Sequence, residues 1–359
     1  MLKNLLLALG SVLLCLLVLE LGLRFFPVHE GLRTQPVNRA NPIVHFEPDR
    51  TATWSRLPDF SLKNEIRSNN YGFINDQDYD PDGELPLLAV IGDSYVEAAM
   101  VPYEKTVHGR LAKALRGKWR VYSFGVSGAP LSQYLAFARF ARDEFAPQKM
   151  AFVIVGNDFD ESLIEYKQSP GFHYFKETGE GRLALHLQEY EPSMVRRLLR
   201  HSRLAMYLAV NTHALSTLAN LFSSPNDAKY VGQTLATSDQ RKILDSKRAA
   251  SEFLRLLPEY SGLSPDDIIF LVDGSRPHLY DEARISATQG SYFDIMRTFF
   301  LNEARGKGFT AIDMTPAFIR DYHRHGLRFE HSQDAHWNGR GHMIAAQLIR
   351  KSLMDSQTK

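Results

Sequence analysis

The sequence predicts an α/β fold, a three-layer sandwich with a central five-stranded parallel sheet and a helical insertion. Three observations lead there. Short runs such as Leu87–Ile91 are apolar at every position, which suits a parallel strand covered on both faces and is too short for a helix. Such runs alternate with longer segments of helical period, the rhythm of a doubly wound sheet. They also end in small or polar residues, and the C-terminal strand ends of such a sheet form the crevice where ligands bind.

The chain opens on an apolar segment. Leu5 to Leu19 carries no charge, and with Leu21, Gly22, Leu23, Phe25 and Phe26 it approaches the ~20 residues that span a bilayer. No small-x-small cleavage site follows Leu19, so residues 1–26 read as an uncleaved membrane anchor. Lys3 lies on one side, with Arg24, Arg33 and Arg39 on the other, and the positive-inside count gives no orientation. A soluble domain behind a single anchor is most simply exported, and periplasmic in a bacterium.

Residues 27–62 are polar, proline-bearing and weakly periodic, as expected of a linker that becomes an extended arm. The domain proper is expected over 63–359. Its strands are predicted at Leu87–Ile91, Arg120–Phe124, Met150–Val155, Ile268–Val272 and Thr310–Asp313. Helices are predicted at Val107–Leu115, Leu131–Phe145, Tyr292–Arg305 and Gly341–Met354. The stretch from about 160 to 246 breaks the rhythm and reads as an insertion beside the active-site edge. Within it Met194–Leu221 is amphipathic, with Arg196, Arg197, Arg200 and Arg203 among its apolar positions. It suits one long helix or two, packed on the core with solvated arginines, or turned toward an anionic membrane surface.

Composition narrows the function. With 359 residues, 44% of them hydrophobic, the chain can bury a full core as one large domain or two small ones. Its 42 basic and 41 acidic residues give a net charge of +1, which offers no bulk reason to expect nucleic acid. Cys15 is the only cysteine and lies in the apolar segment, which excludes an intrachain disulfide and a cysteine-based zinc site.

Gly92-Asp93-Ser94 closes the first core strand. Gly92 allows a tight exit, and Asp93 and Ser94 stand where a helix begins with free backbone N–H groups. Asp and Ser are also ordinary helix caps, so the tripeptide gains meaning only from the other strand ends. The second strand is followed by Ser123 to Gly128, the third by Gly156-Asn157-Asp158, and the last helix is preceded by Asp334-Ala335-His336-Trp337-Asn338. Attack on an acyl carbon needs a serine, a base, a group to orient that base, and donors for the oxyanion. Ser94, His336 and Asp334 supply the first three. The N–H groups of Ser94 and Gly128 and the amide of Asn157 supply the donors. Residues two apart in an extended segment face the same side, so Asp334 can reach the His336 ring. His331, His336, His342 and Asp334 could instead form a metal site, though their spacing follows no compact two-histidine helical motif. Asp93 and Asp158 read as groups that fix their loops through backbone N–H bonds. No cofactor is called for.

The ordered blocks GDS, Gly, GND and Asp-x-His-Trp-Asn, over roughly Asn70 to Met354, resemble the SGNH (GDSL-type) hydrolase superfamily. The resemblance implies a flavodoxin-like three-layer sandwich, a catalytic set of Ser94, Gly128, Asn157 and His336, and ester substrates. Two departures stand out: the position three before the histidine is Gln333, which leaves Asp334 as the acid, and the third block is a compact GND. There is no Gly-x-Ser-x-Gly, so an α/β-hydrolase elbow is not supported. The expected activity is a serine esterase that removes O-acyl groups, chiefly acetyl, from carbohydrate or lipid esters through an acyl-enzyme. An O-acyltransferase of surface polysaccharide would use the same residues, and a non-catalytic carbohydrate-binding or assembly protein would keep only the fold.

Overall fold

The computed structural model describes residues 1–179, 181–212, 230–231, 234–235, 239–280, 288–332 and 334–356. An apolar helix α1 (Leu2–Leu23) leads into an arm that ends in a hairpin, β1 (Arg50–Arg56) and β2 (Leu62–Ser68). There follow β3 (Leu87–Gly92), α2 (Ser94–Glu97), α3 (Val107–Ala114), β4 (Arg120–Gly125), α4 (Leu131–Phe145) and β5 (Lys149–Ile154). A second hairpin, β6 (His173–Glu177) and β7 (Leu183–Leu187), comes next. The last part holds α5 (Gln240–Ser261), β8 (Ile268–Val272), α6 (Tyr292–Gly306), β9 (Thr310–Asp313), α7 (Thr315–His325), β10 (Glu330–His331), β11 (Asp334–Trp337) and α8 (Gly339–Ser356).

Five strands form one parallel sheet in the order β9-β8-β5-β3-β4. Helices cover both faces, which is why its strands are apolar throughout. Along β5 the side chains alternate between two cores: Met150, Phe152 and Ile154 face one, Ala151 and Val153 the other. The first core is closed by residues such as Phe137 of α4, Phe253 of α5 and Phe300 of α6. The second is closed by Leu111 of α3, Phe318 of α7 and Ile349 of α8. The predicted three-layer α/β sandwich is therefore the observed one. The predicted strands lie within a residue of the observed bounds at each end, because a strand buried on both faces announces itself by an unbroken apolar run.

Other segments differ from their sequence reading. The arm over 27–62 is not loose: Val28, Leu32, Val37, Ile43, Val44, Ala52 and Trp54 are buried, each at an irregular position that leaves no periodic signal. Of the two readings of Met194–Leu221, one long helix or two, the described part is two: Met194–Leu199, and Arg203–Met206 running on as a wider helical turn over Tyr207–Asn211. The Ser193 and Ser202 hydroxyls each accept an N–H, from Arg196 and Ala205 at 3.1 Å, and start the separate helices. Met194, Val195, Leu198 and Leu199 are exposed, contrary to a core-packed reading. Residues 213–221 of that stretch and Gln333 lie outside the described residues.

Helix α1 buries no residue and is long and apolar enough to cross a membrane. Its far end is tied to the domain by Glu20, whose carboxylate accepts the Ser202 hydroxyl at 2.8 Å and the N–H groups of Arg203 and Leu204 at 3.1 and 2.9 Å. A residue of α1 thus helps to cap the Arg203–Met206 helix.

Candidate active site

The site grows from the C-terminal ends of three adjacent strands, β4, β3 and β5. Helix α2 starts directly off β3 and presses on the end of β4. Glycine permits this approach: a Cβ on Gly92 would meet Val96 Cγ2 at 2.5 Å, and one on Gly125 would meet Glu97 N at 2.7 Å. Asp93 caps the turn by accepting the Tyr95 N–H at 2.9 Å, and Ser94 is left 8% exposed at its first position.

His336 is carried on β11. Its Nε2 lies 2.8 Å from Ser94 Oγ, and its Nδ1 hydrogen-bonds Asp334 Oδ1, which also accepts the His336 backbone N–H at 2.9 Å. The three side chains predicted from sequence are brought together as one hydrogen-bonded chain, with the acid two residues before the histidine. A buried network fixes β11. Asp273, just past β8, accepts the Trp337 indole N–H at 3.0 Å and pairs with Arg276. Arg276 in turn donates to the Ala335 carbonyl at 2.7 Å and to the Tyr95 hydroxyl.

The candidate oxyanion donors lie around this chain. Gly128 has a φ of +83°, a left-handed value that favours glycine. Among the described residues, neither its N–H nor that of Ser94 has an acceptor. Asn157 stands on the tight turn after β5. Asp158 beside it accepts the Val155 N–H at 2.8 Å and the Tyr134 hydroxyl at 2.9 Å, the loop-fixing work expected of it. The Asn157 Nδ2 donates to Glu161 Oε2 at 3.0 Å. Lys167 bridges the two donor loops: it pairs with Glu161 and donates to the Gly128 carbonyl at 2.9 Å. Sequence reasoning missed Glu161, Lys167, Asp273 and Arg276, since single charged residues in loops and short turns carry no distinguishing pattern.

Burial by itself would raise the Asp334 pKa, but the ring and backbone N–H bonds of His336 and its nearby charge hold the carboxyl at about 2. Asp334 therefore stays ionised and can stabilise an imidazolium. Asp93 is pushed up to about 6 by burial, against the Tyr95 N–H bond and the field of His336 that lower it. Burial likewise raises Glu97, whose two oxygens accept the Ser127 N–H and hydroxyl at 2.6 and 2.8 Å.

A groove of about 390 Å³ includes Glu97 and Ser127 in its wall; Glu97 ends the short helix α2 that begins at Ser94. A larger cavity of about 790 Å³ lies between α7 and α8 and touches none of the residues above. Of the four residues that offered a metal site, His342 accepts the Val107 N–H at 3.2 Å through Nδ1. Among the described residues, no group of three or more His, Cys, Asp or Glu side chains is placed to hold a metal ion.

No family model matches the chain, and no curated protein does. Solved structures similar to it include TesA, at 11% identity and a TM-score of 0.38 over 75% of this chain and 99% of that one. An extracellular lipase from Streptomyces rimosus is 12% identical with a TM-score of 0.39, covering 74% and 99%. The psychrotrophic esterase EstA from Pseudoalteromonas sp. is 8% identical with a TM-score of 0.39, covering 76% and 99%. At such identities and TM-scores, the chemistry of this chain has to be read from its own site.

Proposed function

We propose that the chain is a serine ester hydrolase of SGNH type, with Ser94, His336 and Asp334 as its catalytic triad. The observation that supports this most is the Ser94–His336–Asp334 hydrogen-bonded chain at the strand ends, built from residues 242 positions apart. His336 Nε2 takes the Ser94 proton as Oγ bonds to the ester carbonyl carbon. The carbonyl π electrons move to its oxygen, which the Ser94 and Gly128 N–H groups and the Asn157 amide receive as an oxyanion hole. As the tetrahedral adduct collapses, the C–O bond to the alcohol breaks and His336 returns the proton to the leaving oxygen. Water, deprotonated by the same imidazole, then releases the acid and restores Ser94.

The substrate class in this proposal is an O-acyl, chiefly acetyl, ester of a glycan or lipid. The division of labour follows the sequence reading: residues 1–26 anchor, 27–62 connect, and 63–359 carry the chemistry outside the cytoplasm. The test is labelling with a fluorophosphonate, followed by incubation with acetylated glycans and p-nitrophenyl acetate. Ser94 should be the labelled residue, free acetate should appear, and both should vanish in Ser94→Ala. Labelling of another serine, or activity that survives Ser94→Ala, overturns the mechanism.

A further inference from the structure

The groove lined by Glu97 and Ser127 has a chemical character of its own. Glu97 and Ser127 line part of it; the β1–β2 hairpin contributes Trp54 and Arg56; the segment after β7 contributes Arg196 and Arg200. Much of the remaining wall is apolar, with Phe172 and Met206 among its residues. The acidic groups that reach this space are already engaged. Both Glu97 oxygens are taken by Ser127, and Glu30 pairs with Arg203 and accepts the Thr53 N–H at 2.9 Å. His29 in the same wall is neutral near pH 7, because burial and then the field of Arg56 hold it at about 4.

The cations are less occupied. Arg200 donates to the Leu32 carbonyl at 3.2 Å. The guanidinium of Arg56 is half-buried with its carbon 5.7 Å from the centre of the Trp54 ring, and among the described residues it has no hydrogen-bond acceptor and no ion pair. Arg56 shares this wall with Glu97, the last residue of the short helix α2 that begins at Ser94. A guanidinium stays charged under such burial, and its planar fork matches a carboxylate or phosphate.

We propose that Arg56, with Arg196 and Arg200 at the rim, forms a subsite for an anionic group, a carboxylate or phosphate borne by an otherwise apolar ester substrate. The apolar wall receives the rest of that molecule, and the net positive charge steers it in. This rests on the reading of Ser94 as nucleophile, and the test separates the two.

The full chain in non-ionic detergent is assayed with two matched pairs of esters. In one, p-nitrophenyl butyrate is set against the p-nitrophenyl monoester of glutarate, which carries charge on the acyl side. In the other, 1-naphthyl acetate is set against 8-acetoxypyrene-1,3,6-trisulfonate, charged on the alcohol side. In at least one pair the anionic ester should show a kcat/KM about tenfold or more above its neutral partner, the scale of one charge-assisted hydrogen bond. Arg56→Gln should bring that ratio close to one, Arg56→Lys should keep part of it, and high salt should erode it in the unaltered chain. Fatty acid release from phosphatidylglycerol but not phosphatidylcholine vesicles would assign the anion to a lipid headgroup; preference confined to the soluble esters assigns it to a free molecule. No anionic preference in either pair, or a preference that survives Arg56→Gln, overturns the subsite. If no ester is cleaved, the hydrolase reading has failed instead. Binding of 8-hydroxypyrene-1,3,6-trisulfonate to the Ser94→Ala chain, read by fluorescence anisotropy and lost on adding Arg56→Gln, then still decides the subsite.

Discussion

Asn157 donates one of its two amide N–H groups to Glu161, which leaves the other for a developing oxyanion. Asn157→Ala should therefore lower kcat by ~10²–10³ with little change in KM, since the lost donor acts chiefly in the transition state. Lys167 is a positioning residue in this scheme. Without it, the Glu161 carboxylate faces the oxyanion unneutralised, and Lys167→Met should lower kcat by roughly tenfold, with Lys167→Arg recovering most of the loss. Steady-state kinetics decide both cases; a rise in KM at constant kcat would show that these residues merely bind substrate. Asp334→Asn should cost several orders of magnitude in kcat by disturbing the His336 tautomer, and near-normal activity would dismiss Asp334 as the acid. A different histidine carries the pH prediction. His108 is buried on α3 and burial lowers its pKa to about 3, so the folded chain refuses a proton that the unfolded chain accepts below about 6.5. Its contribution is full above 6.5 and is lost as pH falls toward 3, at about 1.4 kcal/mol per pH unit. His108→Phe should gain stability relative to the unaltered chain as pH falls from 7.5 to 5 in urea unfolding, and a gap that does not change with pH would reject this. Ser94, Asp334 and His336 were legible because their chemistry is rare at strand ends. Glu161 and Lys167 were not, because only the fold says what they touch.

At the scale of elements, His336 depends on a strand of four residues, β11, too short to hold its own position. The buried Arg276–Asp273 pair supplies the missing rigidity by joining the end of β8, the backbone of β11 and the first turn of α2 through Tyr95. Breaking such a pair strands one charge in the interior. Arg276→Met should destabilise the chain by about 3–5 kcal/mol in urea unfolding, and loss of activity should accompany it as His336 loses register. A change under 1 kcal/mol would mean that water replaces the guanidinium and the tie is weak. The pair was illegible in sequence: Asp273 and Arg276 sit three apart after a strand, a spacing that surface turns use as often. Core strands were legible by contrast, because helices on both faces make every position apolar. The two hairpins were not. They lie on the outside of the sandwich, half-buried, and each mixes polar and apolar residues in the manner of a loop.

For the molecule as a whole, helix α1 and the domain behind it are coupled through Glu20. A chain starting at Pro27 should fractionate as a soluble protein and keep its esterase activity, whereas the full chain should require detergent. Loss of the Glu20 cap should cost about 1 kcal/mol, seen as faster proteolysis near Arg200–Arg203. Recovery of the truncated chain with membranes would show that the exposed Met194, Val195, Leu198 and Leu199 hold it there unaided. The sequence by itself determined the α/β layering, the membrane-spanning capacity of the first helix and the three side chains, Ser94, Asp334 and His336, that the fold brings together. These follow from local patterns: the run length of apolar residues, the absence of charge, and rare groups placed just after strands. Only the tertiary structure decided that the arm is part of the packed body, that Lys167 links the loops of Gly128 and Asn157, and that Arg56, Arg196 and Arg200 share one groove with Glu97. Those features join residues as distant in the chain as Arg56, Glu97 and Arg200. Each such contact is one pairing among many that an isolated charge could make, and which one forms is settled by where the packed core leaves it.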